Sequence, residues 1–132
     1  MTYYDIIDAA ISAACEDAGN TSATGDYLSR SQFLLANFVT QYAKLDALVR
    51  EADGLEPKTV ATDIALVDPE DDFPLCDIFA PVAVLYLAAA LVLDENEEMS
   101  DRLFDRYING ILEIRNTLPA KQGAIVDKYG LD

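Results

Sequence analysis

The acidic cluster Asp68, Glu70, Asp71 and Asp72 is the densest group of side chains in this sequence that could do chemistry. Carboxylates at close spacing can bind Ca²⁺. This cluster lacks the alternating ligand spacing and the glycine of a calcium loop, and Pro69 stiffens it. The favoured interpretation is a solvated loop that keeps the adjoining segment from aggregating. Electrostatic docking to a basic groove of a partner is the alternative.

Most catalytic and metal-binding arrangements lack their usual side chains here. The chain contains no histidine, which removes the most common general base and the most common metal ligand. Cys15 and Cys76 stand far apart rather than at metal-ligand spacing. There is no glycine-rich phosphate loop and no Glu-x-x-His pattern. We therefore expect no enzymatic activity, no cofactor and no metal, with both cysteines packed as small apolar side chains.

Net charge is the strongest statement that composition makes about partners. At −15, the surface repels the phosphates of nucleic acids and of anionic lipids. Direct binding to DNA or to a membrane is therefore not expected. Basic protein partners are favoured, or a position beside DNA to which the DNA must not adhere. The length of 132 residues predicts one domain, and an opening segment that contains Asp5 and Asp8 predicts no secretory signal.

The segment from Ile78 to Leu93 contains no charged residue. As a helix it would span roughly 24 Å, which is short of the roughly 30 Å core of a bilayer. A helix that is apolar on every side must be buried on every side. We therefore expect a central helix that is covered by other helices of the bundle or partly by neighbouring subunits.

Helical periodicity over most of the chain predicts an all-α fold. The expected domain, residues 1–119, is a four-helix bundle with helices at about 2–17, 26–52, 77–94 and 96–118. Thr2 with Asp5 should cap the first helix, and Asp77 the third. Pro81 should lie in or just past the first turn of the third helix, where a missing amide costs little. Residues 120–132 should form an extended tail.

The fourth helix is predicted to bury one apolar stripe. Its members are Met99, Leu103, Phe104, Tyr107, Ile108, Ile111, Leu112 and Leu118. Gly110 interrupts the stripe at a cost of about 1 kcal/mol in helix propensity. We therefore expect a close backbone contact at Gly110.

Two segments outside the predicted helices carry apolar side chains that could bind other chains. Residues 55–75 lose the helical period and predict an extended arm or a weak hairpin. Within that arm, contacts to neighbouring subunits or to the next ring are expected from Thr59, Val60, Ile64 and Leu66, and from the acidic residues Asp68, Glu70, Asp71 and Asp72. In the tail, Ile125, Val126 and Tyr129 form a small apolar group that could anchor in a groove of a partner. Folding back onto the bundle is the equally weighted alternative.

The four predicted helices, the arm and the tail, taken in their order along the chain, resemble the head–tail connector (adaptor) proteins of tailed bacteriophages. The resemblance covers mainly residues 74–130. It rests on PLCD at 74–77, LYLAA at 85–89, DEN at 94–96, RY at 106–107, EIR at 113–115 and IVDKYG at 125–130, with TYYDII at 2–7. These are matches of pattern rather than an invariant motif.

The resemblance implies a structural virion protein, made in the host cytoplasm and located in the phage neck. Such proteins assemble as a ring, typically of about twelve copies, beneath the portal protein of the DNA-filled head. The other face of the ring meets the tail or a stopper protein, and DNA passes through the lumen without specific binding. By analogy, the peptide after the last helix reaches onto the portal.

An acidic regulatory protein of phage or prophage origin is the alternative from another functional class. A DNA mimic or anti-repressor would occupy a basic nucleic-acid site, and the charge of −15 fits that role. Neither the apolar third helix nor the apolar tail is needed for it. Binding that weakens steeply with salt would favour the mimic, whereas rings in electron micrographs would favour the adaptor.

Overall fold

Four α-helices account for most of the residues that the computed structural model describes, which are 1–15, 24–56 and 68–118. The helices are α1 (Tyr3–Cys15), α2 (Thr24–Ala52), α3 (Ala80–Val92) and α4 (Glu97–Asn116), with a 3₁₀ turn at Asp77–Phe79 before α3. The predicted all-α bundle is therefore confirmed. Residues 57–67 of the predicted arm (55–75) and the whole predicted tail (120–132) lie outside the described part of the chain.

Helix α3 lies at the centre of the bundle and packs against α1, α2 and α4. Ala83, Leu87 and Ala88 are fully buried, as the apolar sequence predicted. One strip stays partly open, because Pro81 is exposed and Leu85 is only half-buried. A single chain therefore covers most of α3 but not all of it. No helix in the described ranges has both the length and the apolar character that crossing a bilayer requires.

Side chains of other helices satisfy the polar groups at the C-terminal end of α3. The last carbonyls of a helix have no partner within it, and α3 has no basic residue in its last turn. Ser100 of α4 donates from Oγ to the carbonyl of Ala89 at 2.7 Å, and Arg30 of α2 donates from Nη2 to the carbonyl of Ala90 at 3.2 Å. These bonds tie α2 and α4 to the end of α3.

The start of α3 differs from the prediction in one detail. Asp77 does not cap the helix, because it belongs to the preceding 3₁₀ turn. Phe79 occupies the N-cap position without a side-chain hydrogen bond. Pro81 lies in the first turn as predicted, where its missing N–H would have had no partner in the helix.

The N-terminus of α1 is capped twice. Thr2 and Asp5 form the predicted reciprocal pair: Asp5 Oδ2 accepts from Thr2 N at 2.8 Å, and Thr2 Oγ1 accepts from Asp5 N at 3.3 Å. We call residues 68–72 the acidic loop. Two of its carbonyls accept from the next free amides of α1: Asp71 from Tyr3 at 3.0 Å, and Pro69 from Tyr4 at 2.9 Å. The acidic loop thus has a structural role in its backbone that its sequence did not indicate.

An aromatic cluster joins α2, α3 and α4 across the core. Phe38 is fully buried, and its ring centre lies 4.7 Å from that of Tyr42 and 5.4 Å from that of Tyr86. The hydroxyls of Tyr42 and Tyr107 are hydrogen-bonded to each other. Burial, followed by this hydrogen bond, raises the pKa of Tyr107. The paired hydroxyls allow two tyrosines to be buried without an unsatisfied polar atom.

Gly110 of α4 lies close to α3. A Cβ placed on Gly110 would lie 3.0 Å from Cγ2 of Val82, which is buried in α3. The predicted close contact is therefore present, and its partner is a side chain rather than backbone. Because a valine in a helix has essentially one χ1 rotamer, Val82 has little room to move away.

We predict that Gly110→Ala lowers the stability of the protein when residue 82 is valine and raises it when residue 82 is alanine. In the wild-type background the clash outweighs the better helix propensity, and stability should fall by about 1 kcal/mol. In a Val82→Ala background the clashing methyls are gone, and Gly110→Ala should stabilise by up to about 1 kcal/mol. Urea denaturation of the four variants measures both values. A stabilising effect in both backgrounds would contradict the close contact.

Candidate interaction surfaces

The acidic and cysteine side chains of the described residues form no metal-binding cluster. No group of acidic or cysteine side chains within residues 1–15, 24–56 and 68–118 has the geometry to hold an ion. In the acidic loop, Asp68 Oδ1 accepts from the amide of Glu70 at 3.0 Å, which closes a local turn. The side chains of Asp68, Glu70, Asp71 and Asp72 are exposed, so contact with another chain remains a prediction for them.

The remaining predicted contact residues belong to the arm and to the tail. Thr59, Val60, Ile64 and Leu66 of the arm lie outside the described residues, as do Ile125, Val126 and Tyr129 of the tail. The last described residue, Leu118, is half-buried at the end of the bundle, and the predicted tail follows from residue 120. Their roles therefore stay predictions from the sequence.

A buried carboxylate on α2 holds the segment that leads into α3. Asp46 is 1% exposed. Its Oδ1 accepts from the backbone N–H of Cys76 at 2.8 Å, and its Oδ2 accepts from Arg50 Nε at 2.9 Å. Arg50 in turn donates from Nη2 to the carbonyl of Pro74 at 3.2 Å. We call Asp46, Arg50 and the backbone of residues 74–76 the Asp46 clamp.

The Asp46 clamp is a structural device rather than a reactive site. Its ion pair is one turn apart on α2, which keeps the guanidinium beside the carboxylate. Burial, followed by the hydrogen bond and the negative charge of Asp46, raises the pKa of the Cys76 thiol to about 11. A thiol in this state is a poor nucleophile at neutral pH, because the thiolate is the reactive form.

Helix α4 has two apolar faces, and the bundle covers only one. Leu103, Tyr107, Ile111 and Ile114 are buried against the rest of the bundle. The prediction that Phe104, Ile108 and Leu112 are buried as well was wrong, because their exposed fractions are 47%, 39% and 50%. At intervals of four residues, these three side chains line up along the outside of α4. We call them the α4 ridge.

An open groove lies on the other side of α4. It has a cavity volume of about 810 Å³ and separates the C-terminal ends of α2 and α4 above the start of α3. Val49, Ile78, Pro81 and Leu85 supply apolar surface, and Asp53, Arg106 and Glu113 are its charged residues. The groove contains the strip of α3 that the bundle leaves open, and we call it the α3 groove.

A smaller apolar patch lies at the opposite end of α3. Phe33 and Leu93 are 51% and 50% exposed, and with Leu34 and Ala90 they line a shallow depression of about 530 Å³. The sequence placed Leu93 at the end of the buried run, whereas the structure ends α3 at Val92 and leaves Leu93 outside. Exposed apolar surface of this kind is typical of sites that contact other proteins.

The comparisons with known proteins do not identify a family: no family model, curated protein or solved structure matches the chain. Its function must therefore be inferred from its own residues.

We predict that Asp46→Asn destabilises the fold by about 2 kcal/mol, because the new amide nitrogen would face one of the two donors, Arg50 Nε or Cys76 N–H, that the carboxylate now satisfies. Glu98→Gln is the matched control. Glu98 pairs with Arg102 at the same helical spacing, 3.6 Å apart, but both side chains are largely exposed. That control should change stability very little. Equal midpoints in urea for the two variants would contradict the structural role of the clamp.

We predict that Cys76 resists alkylation. In a Cys15→Ala variant Cys76 is the only thiol, and its reaction rate with iodoacetamide should rise with pH to a midpoint near 11. Near neutral pH the folded protein should react about a hundredfold more slowly than the same variant in denaturant, since the thiolate fraction falls with the raised pKa. A folded-state midpoint near the ordinary value of 9.0 would contradict this prediction.

Proposed function

We propose that this protein is a structural subunit of a bacteriophage neck: a head–tail adaptor that forms a ring under the portal protein. In this role the ring extends the DNA channel and offers its far face to the tail or to a stopper protein. The subunit would be made in the host cytoplasm and would end in the virion. The proposal joins the resemblance of residues 74–130 to the surface properties of the described helices.

The observation that carries the proposal is the α4 ridge. Phe104, Ile108 and Leu112 leave apolar surface in contact with water on a chain whose net charge is −15. A protein that worked alone would gain solubility from polar side chains at these positions. Three aligned apolar side chains on an outer helix face are instead typical of an interface. Association with other subunits explains their presence.

The charge supports a position around DNA. A ring with acidic walls repels the phosphates of a passing duplex, so the DNA can move through the lumen without binding. The exposed carboxylates of Asp68, Glu70, Asp71 and Asp72 contribute to this field. In the proposed assembly, this loop and the arm residues Thr59, Val60, Ile64 and Leu66 contact the neighbouring subunit or the next ring.

Attachment to the portal would rest on many weak contacts. Each subunit offers one short peptide, residues 120–132, with Ile125, Val126 and Tyr129 as apolar anchors. In a closed ring all copies are held at the spacing of their binding sites. The effective concentration of every further peptide is then high, and modest contacts add up to a durable joint.

The DNA mimic is the weaker candidate. It also needs an acidic surface, but an apolar ridge would oppose that function, because a mimic presents charge to a basic site. No arrangement among the described residues favours a mimic over an adaptor.

We predict that deleting residues 120–132 abolishes binding to the purified portal protein of the same phage and leaves the helical circular dichroism signal intact. Replacing Ile125, Val126 and Tyr129 together by alanine should weaken binding by more than about tenfold, which is about 1.4 kcal/mol. A Lys121→Ser/Gln122→Ser variant alters the same tail without touching its apolar group and should bind normally. Portal binding that survived the deletion would remove the tail from the proposed mechanism.

A further inference from the structure

The α4 ridge and the α3 groove lie on nearly opposite sides of one helix. At 100° per residue, the groove residues Arg106 and Glu113 are roughly 140–160° around the axis of α4 from Ile108 at the centre of the ridge. One feature projects and is apolar, and the other is concave with apolar surface from Val49, Ile78, Pro81 and Leu85. The ridge and one wall of the groove belong to the same helix, so a subunit cannot fill its own groove with its own ridge.

We propose that the α4 ridge of one subunit fills the α3 groove of the next copy of this chain. Such a contact is heterologous, because it joins two different surfaces, and repeated contacts of this kind close into a ring when the rotation between subunits allows it. The interface covers the strip of α3 around Pro81 and Leu85 that the single chain leaves open. This inference rests on the proposed ring and names the surfaces that build it.

The lengths of the two surfaces are compatible. From Phe104 to Leu112 the ridge extends about 12 Å along α4, and the α4 residues that line the groove, from Arg106 to Ile114, also extend about 12 Å. A ridge of three side chains therefore fits within the groove. Phe104 is its largest member, and an aromatic side chain in a pocket is the usual anchor of a protein interface.

The order of charges along α4 favours a neighbouring copy as the occupant. Asp101 and Asp105 stand three residues before Phe104 and Ile108, beside the ridge, and Arg115 stands three residues after Leu112. The groove presents Arg106 and then Glu113 in the same direction along the helix. When two copies of α4 lie parallel, the acidic end of the ridge meets Arg106 and its basic end meets Glu113. Among the described residues that line the groove, Asp53 is the one further charged side chain, and its carboxylate repels an acidic occupant.

The test uses three substitutions to arginine that all change the net charge by the same amount. Leu112→Arg disables the ridge, and Ile78→Arg, at a residue that is 45% exposed, disables the groove. Leu48→Arg is the matched control, because Leu48 and Leu112 are both helical leucines with 50% exposure, and Leu48 belongs to neither surface. Circular dichroism checks that each variant is folded. Asn109→Arg blocks the groove from α4 and replaces Ile78→Arg if that variant loses helical signal.

Sedimentation velocity over a range of concentrations should show that the wild-type chain and Leu48→Arg associate alike. Leu112→Arg and Ile78→Arg should each associate more than about tenfold more weakly. An equimolar mixture of these two variants should form pairs and nothing larger, since the intact groove of one accepts the intact ridge of the other. Only a contact between two different surfaces gives this result.

Three results would contradict the proposed interface. The first is that the mixture of Leu112→Arg and Ile78→Arg forms no pairs. The second is that Leu48→Arg weakens association as much as Leu112→Arg does, and the third is that the wild-type chain stays a single subunit at every concentration. The proposed function is tested separately by the tail deletion. Tail-dependent binding to the portal by a subunit that remains single in solution would leave the adaptor role standing and reject the ridge-and-groove contact.

Discussion

The burial of helix α3 constrains where the other helices lie, because α3 is apolar on nearly every side and has no charged side chain of its own. Its apolar surface requires neighbours, and α1, α2 and α4 pack against it. Its backbone ends also require partners, since no side chain of α3 satisfies them. Helix α2 supplies polar groups near both ends: Arg30 reaches the carbonyl of Ala90, and the Asp46 clamp holds the segment before Asp77. Helix α2 is long enough to reach both ends of α3.

The same constraint explains why apolar surface remains outside. Helix α4 packs against α3 through Leu103, Tyr107, Ile111 and Ile114, and these contacts use one side of the helix. The adjacent strip of α4 then faces away from α3, and no other helix of the described residues covers it. On α3, the strip near Pro81 stays open between the C-terminal ends of α2 and α4, whose residues line the groove with it. Both uncovered surfaces arise from how three helices surround one, and the described residues provide no further element to cover them.

Much of this fold could be predicted from the sequence, because helix spacing, the Thr2–Asp5 cap and the apolar run of α3 are local patterns. The errors on α4 have one cause. Apolar residues in adjacent pairs, such as Leu103 with Phe104 and Ile111 with Leu112, give α4 an arc wider than one neighbour can cover. Periodicity cannot say which part of that arc finds a partner. The Asp46 clamp and the acidic loop's bonds to α1 join residues that are distant in sequence. Only the Asp46–Arg50 spacing, one helical turn within an apolar stretch, gave a local signal of the clamp.

Charge and apolar surface have opposite effects on association, and their arrangement decides which dominates. A net charge of −15 makes copies of this chain repel each other at long range and keeps random contacts between apolar patches from growing into aggregates. Repulsion between exposed charges is screened beyond about 8–10 Å at physiological ionic strength, whereas apolar burial acts only at contact. Association is then limited to orientations that bury enough apolar surface and pair the few bases with acids. Arg106 and Arg115, on opposite sides of α4, are basic residues placed where such an orientation needs them. A strongly acidic subunit can therefore assemble specifically while its remaining surface repels both DNA and wrongly oriented copies.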